Sequence, residues 1–373
     1  MRLIIPLLIL ACVVVVAIAL QLDDGNAADV EDTTVDTISC YGIAVLSDGS
    51  IPSELGSVLE SFKIPYHTIS SLDVSEPITI ITSTAEGMNE KEFLENIKKA
   101  VDNGNLLMSF EADIEWGSTG LPMSYSKEAP VNYVYKYKNC MKCYSCNIDS
   151  SRAIAHCLLK LDKQLEQFPL FTHEYGGELG SEIEAHGYFE NQGYGCTTIG
   201  TDYFILPDVN DDYGYVSTRY YAEIDPDNGS RNSGLDVNSN CTGAYWMMKY
   251  GPQTTSGTYT TQNGVTISLT SSEAGFSYTG SWSYSTPDVV IYNDSSTINK
   301  RLSIAHNIDE HRDVGNHTYY VEPGKLMKIP VGNDYVNVDS YQAQFCHYYD
   351  FLGLYGFYNN ANTSITTTIP IGA

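Results

Sequence analysis

The chain has 373 residues, 43% of them hydrophobic, which excludes wholesale disorder and is long enough for two domains with separate cores. Its 46 Asp and Glu against 20 Lys and Arg give a net charge of −26, which argues against general nucleic-acid binding because phosphate contacts need cationic side chains. With 29 Tyr and 30 Gly, the composition fits twisted sheet and turns better than helix bundles.

The first element is Leu3 to Leu20, LIIPLLILACVVVVAIAL, with Arg2 before it and Asp23 and Asp24 after it. Its length lies between a signal-peptide core and a spanning helix. The charge asymmetry leaves the N-terminus inside and the body outside. Residues 1–20 therefore read as a signal peptide, with Ala17-Ile18-Ala19 as a small-x-small cleavage site, or as an N-terminal membrane anchor. Residues 21–37 read as an acidic linker. The expected location is extracytoplasmic, secreted or anchored at the cell surface.

Residues 38–116 alternate strand and helix. Ile38 to Leu46 reads as a strand, and Leu55, Val58, Leu59 and Phe62 fall on one helical face ended by Pro65. Tyr66–Ile69 and Ile78–Ser83 read as strands. Asn89 and Glu92 form a capping box before the stripe Phe93, Leu94, Ile97 and Val101, and Leu106–Phe110 is a buried strand. Alternation of this kind predicts an α/β domain with a mostly parallel sheet, to which the helix of 150–168 is added. Residues 117–149 read as an irregular, cysteine-rich connection. From 170 to 373 strand signals recur about every ten residues, which predicts an antiparallel β-sandwich domain. Asn263-Gly264 between two strand-like runs is a hairpin signal, and Phe276, Tyr278, Gly280, Trp282 and Tyr284 alternate with Ser and Thr as a half-buried strand would.

Beyond Cys12 there are eight cysteines: Cys40, Cys140, Cys143, Cys146, Cys157, Cys196, Cys241 and Cys346. In an exported chain an even count favours disulfides, whose connectivity stays open. Cys140, Cys143 and Cys146 also have the spacing of a metal or redox site, with Cys157 as a fourth ligand. Asp208, Asn210 and Asp212 space oxygen ligands two apart before Gly214, as calcium loops do, although the glycine is one residue late and no Glu closes the loop. Asp225-Pro-Asp227-Asn-Gly229 and Asp236-Val-Asn238-Ser-Asn240 repeat the pattern, which ordinary turns also use. Calcium is the one cofactor these loops suggest.

His173, Glu174, Glu178, Glu182 and His186 form a dense acid–histidine run without the HExxH spacing. His306, Asp309, Glu310, His311 and Asp313 form a second group that reads as a strand end and a solvated turn. Asn228, Asn240, Asn293, Asn316 and Asn362 stand in Asn-x-Ser/Thr sites. No Gly-x-Ser-x-Gly elbow, Walker loop or dinucleotide fingerprint occurs.

The stretch ITIITSTAEGMNEKEFLENIKKAVDNGNLLMSF, within 38–116, resembles the class I glutamine-amidotransferase-like α/β fold. The family's nucleophilic cysteine would fall near Phe110 or Glu111, where none stands, so the resemblance implies a structural or binding domain. The segments GFSYTGSWSYSTPDVVIYNDSS and YYVEPGKLMKIPVG look like β-rich regions of uncharacterised exported archaeal proteins. That likeness implies the compartment and the β fold and brings no activity.

The resulting expectation is an exported cell-surface protein with a structural or binding role, as an envelope, sheath or adhesion component. Its partners would be other surface proteins, itself or polysaccharide, with the membrane held through the N-terminal segment. The competing readings are a hydrolase acting on polysaccharide or peptide through the His173–His186 acids, and a metal or redox module at the cysteine cluster.

Overall fold

The computed structural model describes residues 35–88, 90–170, 181–210, 212–243, 245–251, 264–269, 274–279, 289–348 and 356–371. The apolar run Leu3–Leu20, the acidic linker as far as residue 34, Asn89, and the sites His173, Glu174 and Glu178 lie outside the described residues.

Helix and strand alternate first: α1 (Asp36–Tyr41), β1 (Ile43–Leu46), α2 (Ser53–Ser61), β2 (Tyr66–Ile69), β3 (Ile78–Thr82), α3 (Lys91–Asp102) and β4 (Leu106–Phe110). Then come β5 (Met123–Tyr125), β6 (Val131–Tyr137), β7 (Cys140–Asn147) and α4 (Ser150–Gln167). From there strands dominate: β8 (Ser181–Asn191), β9 (Gly195–Asn210), β10 (Tyr213–Pro226), β11 (Ser230–Thr242), β12 (Trp246–Gly251), β13 (Gly264–Leu269) and β14 (Ala274–Thr279). The last six are β15 (Val289–Asn293), β16 (Arg301–Ile308), β17 (Tyr319–Val321), β18 (Gly324–Pro330), β19 (Asn333–Tyr348) and β20 (Gly356–Ile371).

The described residues divide into two compact units, one within 35–119, 129–138 and 148–170, the other within 120–128, 139–147 and 181–371. In the first, the strand order is β2-β1-β3-β4-β6. β1 pairs parallel with β2 and β3, and β3 with β4, while β6 runs antiparallel to β4. Every residue of β1, β3 and β4 is buried, as parallel strands with both faces covered require. α3 buries Leu94, Ile97 and Val101 of the expected stripe together with Ala100, while Phe93 is half-buried. α4 is capped by Asp149, which accepts from the backbone N–H of Ser151 at 3.1 Å and of Arg152 at 3.4 Å.

Two local expectations are corrected. Ile38 is helical, not part of a strand, because its N–H donates to the buried Asp162 carboxylate of α4 at 2.8 Å and Gly42, at φ 72°, ends the turn before β1. Residues 117–149 are not irregular: they hold β5, β6 and β7. Seven of the eight residues of β7 are buried, so its two faces carry no polar alternation for a sequence pattern to register.

The second unit is sandwich-like. One sheet has the order β12-β18-β10-β9-β8-β7, with β17 also on β10; the other is β15-β16-β11-β19-β20-β5. All these pairings are antiparallel except β7 with β8. β13 pairs with β14 as a separate hairpin. Alternation sends one face of each strand inward, as in β16, where Leu302, Ile304, His306 and Ile308 are buried. Phe189, Ile199, Tyr220 and Ile224 of one sheet meet Leu235, Ile304, Phe345 and Ile365 of the other in one apolar cluster.

Beside that cluster the two sheets enclose a polar network. The Lys325 ammonium on β18 donates to Ser239 Oγ at 2.6 Å, Asn337 Oδ1 at 2.8 Å and Cys241 Sγ at 3.0 Å, which uses all three of its protons. Asp339 on β19 accepts from Tyr203 Oη at 2.6 Å, from Asn337 Nδ2 at 2.6 Å and from the Ser239 hydroxyl. Thr367 and Ser124 continue the chain from Tyr203, each step at 2.8 Å. Removing the Tyr203 hydroxyl (Tyr203→Phe) deprives a buried carboxylate of a donor, so urea unfolding is expected to show a loss of about 1–3 kcal/mol.

His306 packs edge-on to Tyr319, ring centroids 5.8 Å apart, in the same core. Burial pushes its pKa from 6.5 down to about 3. The folded pKa is the lower one, so the stability tied to neutral His306 is fully present above pH 6.5 and lost as pH falls from there towards 3. Stability should drop by about 1.4 kcal/mol per pH unit within that window, and His306→Phe should flatten the slope in urea titrations at stepped pH.

Candidate binding surface

The outward face of the β15-β16-β11-β19-β20 sheet carries a polar trough of about 250 Å³. Register builds it. Tyr292, Ala305, Asp236, Gln342 and Asn362 are partners in one row across the five strands, and Val290, Asn307, Gly234, Gln344 and Asn360 in the next. Gly234 and Ala305 form the low floor. A Cβ on Gly234 would lie 3.3 Å from the carbonyl oxygen of His306, so a larger residue would crowd the neighbouring strand. Asp236, Gln342, Gln344 and Asn307 supply the rim, and Tyr292, 56% exposed, stands at one end.

Carboxamides both donate and accept, a carboxylate accepts, and an exposed phenol ring offers a flat apolar surface. Together they suit a hydroxyl-rich or extended peptide ligand. Burial holds the Asp236 carboxyl above its usual range. Asp236 stood in the sequence only as part of a turn-like Asp/Asn repeat. The other lining residues come from strands far apart in the chain, and alternation within each strand was their sole signal.

The acid–histidine run is partly visible. Glu184 and His186 share one face of β8, and Glu182 belongs to the same strand, in register with Cys140 and Phe204. Glu184 is held by the Lys142 ammonium of β7 and is the register partner of Asp202, which in turn pairs with Arg219 of β10. The row Lys142–Glu184–Asp202–Arg219 thus flanks two acids with two cations across four strands. His186 is the register partner of Gly200, where a Cβ would lie 3.1 Å from its Nδ1. This geometry pins strands together, and Glu184 spends its charge in an ion pair.

The calcium candidates fall on a hairpin. Asp208 and Asn210 belong to β9, Asn210 pairs with Tyr213, and Asp212 is exposed in the turn. Asn210 therefore sits in a β-ladder, unlike a ligand in a coiled calcium loop. Asp227 and Asn228 form the β10–β11 turn with Gly229 at φ 88°, and Asp236, Asn238 and Asn240 lie along β11. Among the described residues no group of three His, Cys, Asp or Glu side chains could hold a metal ion.

Strand geometry also decides the cysteine cluster. Cys140 and Cys146 share one face of β7 and Cys143 takes the other. Neighbours in the motif are about 10 Å apart along the strand, beyond the roughly 7 Å limit of a disulfide, and three such thiolates cannot converge on one ion. Cys143 accepts the Ser124 N–H at 3.5 Å, and burial pushes its thiol up to about 12. No disulfide joins any of the eight cysteines Cys40, Cys140, Cys143, Cys146, Cys157, Cys196, Cys241 and Cys346. Of the Asn-x-Ser/Thr sites, Asn228, Asn240, Asn316 and Asn362 are exposed and Asn293 is half-buried, its Oδ1 accepting the Ser295 N–H at 3.0 Å.

No family model and no curated protein matches the chain. Among solved structures, it is similar to Clostridium perfringens delta-toxin at 10% identity and TM-score 0.30, over 50% of this chain and 87% of that one. It is also similar to the collagen-binding domain of a Staphylococcus aureus adhesin, at 12% identity and TM-score 0.22 over 45% and 96% of the two chains. For the collagen adhesin of S. aureus the values are 8% and 0.19, over 50% and 78%. Likenesses this low carry no fold or function across. Among the described residues no helix is long and apolar enough to cross a membrane.

Peptide mapping of unreduced protein is expected to recover no bridge between any two of Cys140, Cys143 and Cys146. Alkylation of the folded protein should modify exposed Cys40 at least about tenfold faster than Cys143, whose thiolate burial suppresses.

Proposed function

We propose that the protein is an exported cell-surface component with a structural or binding role, made of an α/β domain and an antiparallel β-sandwich. The observation that carries this reading is the trough of Tyr292, Asp236, Asn307, Gln342 and Gln344 on a wide strand face. Its groups suit recognition of surface polysaccharide or an extended segment of another surface protein, including a second copy. Export rests on the Leu3–Leu20 run and its flanking charges. The strand order β2-β1-β3-β4 supports reading the first unit as an amidotransferase-like scaffold, and the lack of a cysteine at Phe110 or Glu111 supports a non-catalytic one.

Retention of the purified full chain on isolated cell envelopes tests the reading. Wild type should be retained, and the triple variant Tyr292→Ala, Asp236→Ala, Gln342→Ala should lose at least about tenfold in apparent affinity while keeping its sheet circular dichroism. Equal retention of both proteins would exclude the trough as the site, and no retention of wild type would reject the surface role.

A further inference from the structure

We propose that Lys325 and Asn337 form an intramolecular isopeptide bond, with Asp339 as the proton carrier, joining the two sheets of the β unit. Lys325 Nζ lies 2.8 Å from Asn337 Oδ1, one bond from the carbonyl carbon it would attack. Lys325 is 1% exposed and Asn337 and Asp339 are 0% exposed, so water does not compete for that carbon. The register holds the parts in place. Ser239 is the cross-strand partner of Asp339, and Cys241 that of Asn337, while Lys325 reaches them from the facing sheet.

The contacts supply a path for each proton. Lys325 Nζ donates to Ser239 Oγ at 2.6 Å, and Ser239 Oγ donates to Asp339 Oδ1. The ammonium passes one proton through this hydroxyl to Asp339, which leaves a lone pair on Nζ. Nζ bonds to Asn337 Cγ, and the carbonyl π pair moves onto Oδ1, where the Cys241 thiol lies 3.1 Å away. Asp339 Oδ1 is 2.6 Å from Asn337 Nδ2 and returns its proton there. The Oδ1 pair re-forms the carbonyl, the Cγ–Nδ2 bond breaks, and ammonia leaves. The remaining extra proton on Nζ follows the same hydroxyl to Asp339 and departs with ammonia as ammonium. One amide replaces another, so no oxidant or reductant is consumed. The pair is 12 residues apart in sequence, and the bond would close the β18–β19 connection into a ring.

Intact-mass spectrometry and tryptic mapping of the purified full chain test this. Wild type is expected to be lighter than its sequence by one molecule of ammonia. Trypsin should then spare Lys325 and yield Asp313–Lys328 joined to Ile329–Ala373 as a branched peptide. Lys325→Arg and Asp339→Asn should each have the full sequence mass and cleave into linear peptides. Should Asp339→Asn fail to fold, Ser239→Ala, which interrupts the relay and keeps both reacting groups, should give a mixture enriched at least about tenfold in unreacted chain. Full mass and linear peptides from folded wild type would overturn the proposal. So would loss of water in place of ammonia, or complete ammonia loss in the folded Asp339→Asn variant.

Discussion

As the chain folds, before the Lys325–Asn337 bond forms, a buried ammonium and a buried carboxylate, held apart by Ser239 and Asn337, are the constraint around which the β unit is arranged. An isolated charge in such a core is costly, and it persists only where geometry saturates it. Lys325 has three acceptors, and Asp339 three donors. Those six contacts come from strands β9, β11 and β19 around Lys325 on β18. A slip of one residue in any of these strands would turn a partner outward and strand a charge. The network therefore selects register where the apolar cluster of Phe189, Leu235, Ile304 and Phe345 selects only which face points inward.

With register held, the outer faces acquire their character. Gly234 meets Asn307 and Ala305 meets Asp236 only because β11 and β16 pair as they do, and Asp236 meets Gln342 only because β19 runs beside β11. The same logic lines up Lys142, Glu184, Asp202 and Arg219 on the opposite sheet. A one-residue shift there would set Glu184 and Asp202 against neutral neighbours, so charge pairing along this row, with Lys142 buried, and saturation between the sheets favour the same alignment.

Local signals were legible where a short element carried its own pattern. The stripe Leu94, Ile97, Val101 announced a helix, and Ile78–Thr82 and Leu106–Phe110 announced buried strands, because burial of one face or both is written into consecutive residues. β7 was not legible. Its run Cys-Met-Lys-Cys-Tyr-Ser-Cys has nearly every residue buried, and Lys142 is accommodated by Glu184, which lies 42 residues away. The pattern around Ile38 is that of a strand because nothing nearby in sequence reveals Asp162, 124 residues on, which anchors its helical turn.

The sequence by itself determined the charge, the apolar N-terminal run, the change from helix–strand alternation to strand after about residue 170, and the lack of familiar catalytic motifs. These follow from composition and from periods of two and 3.6 residues, which are local properties. Only the tertiary structure decided that the cysteine motif is split across two faces of one strand. It alone set Lys325 against Asn337 and Asp339, and gathered Tyr292, Asp236 and Gln342 into one trough. Each of these depends on which strands pair and in what register, and pairing is settled by burial and hydrogen-bond saturation over the whole sheet.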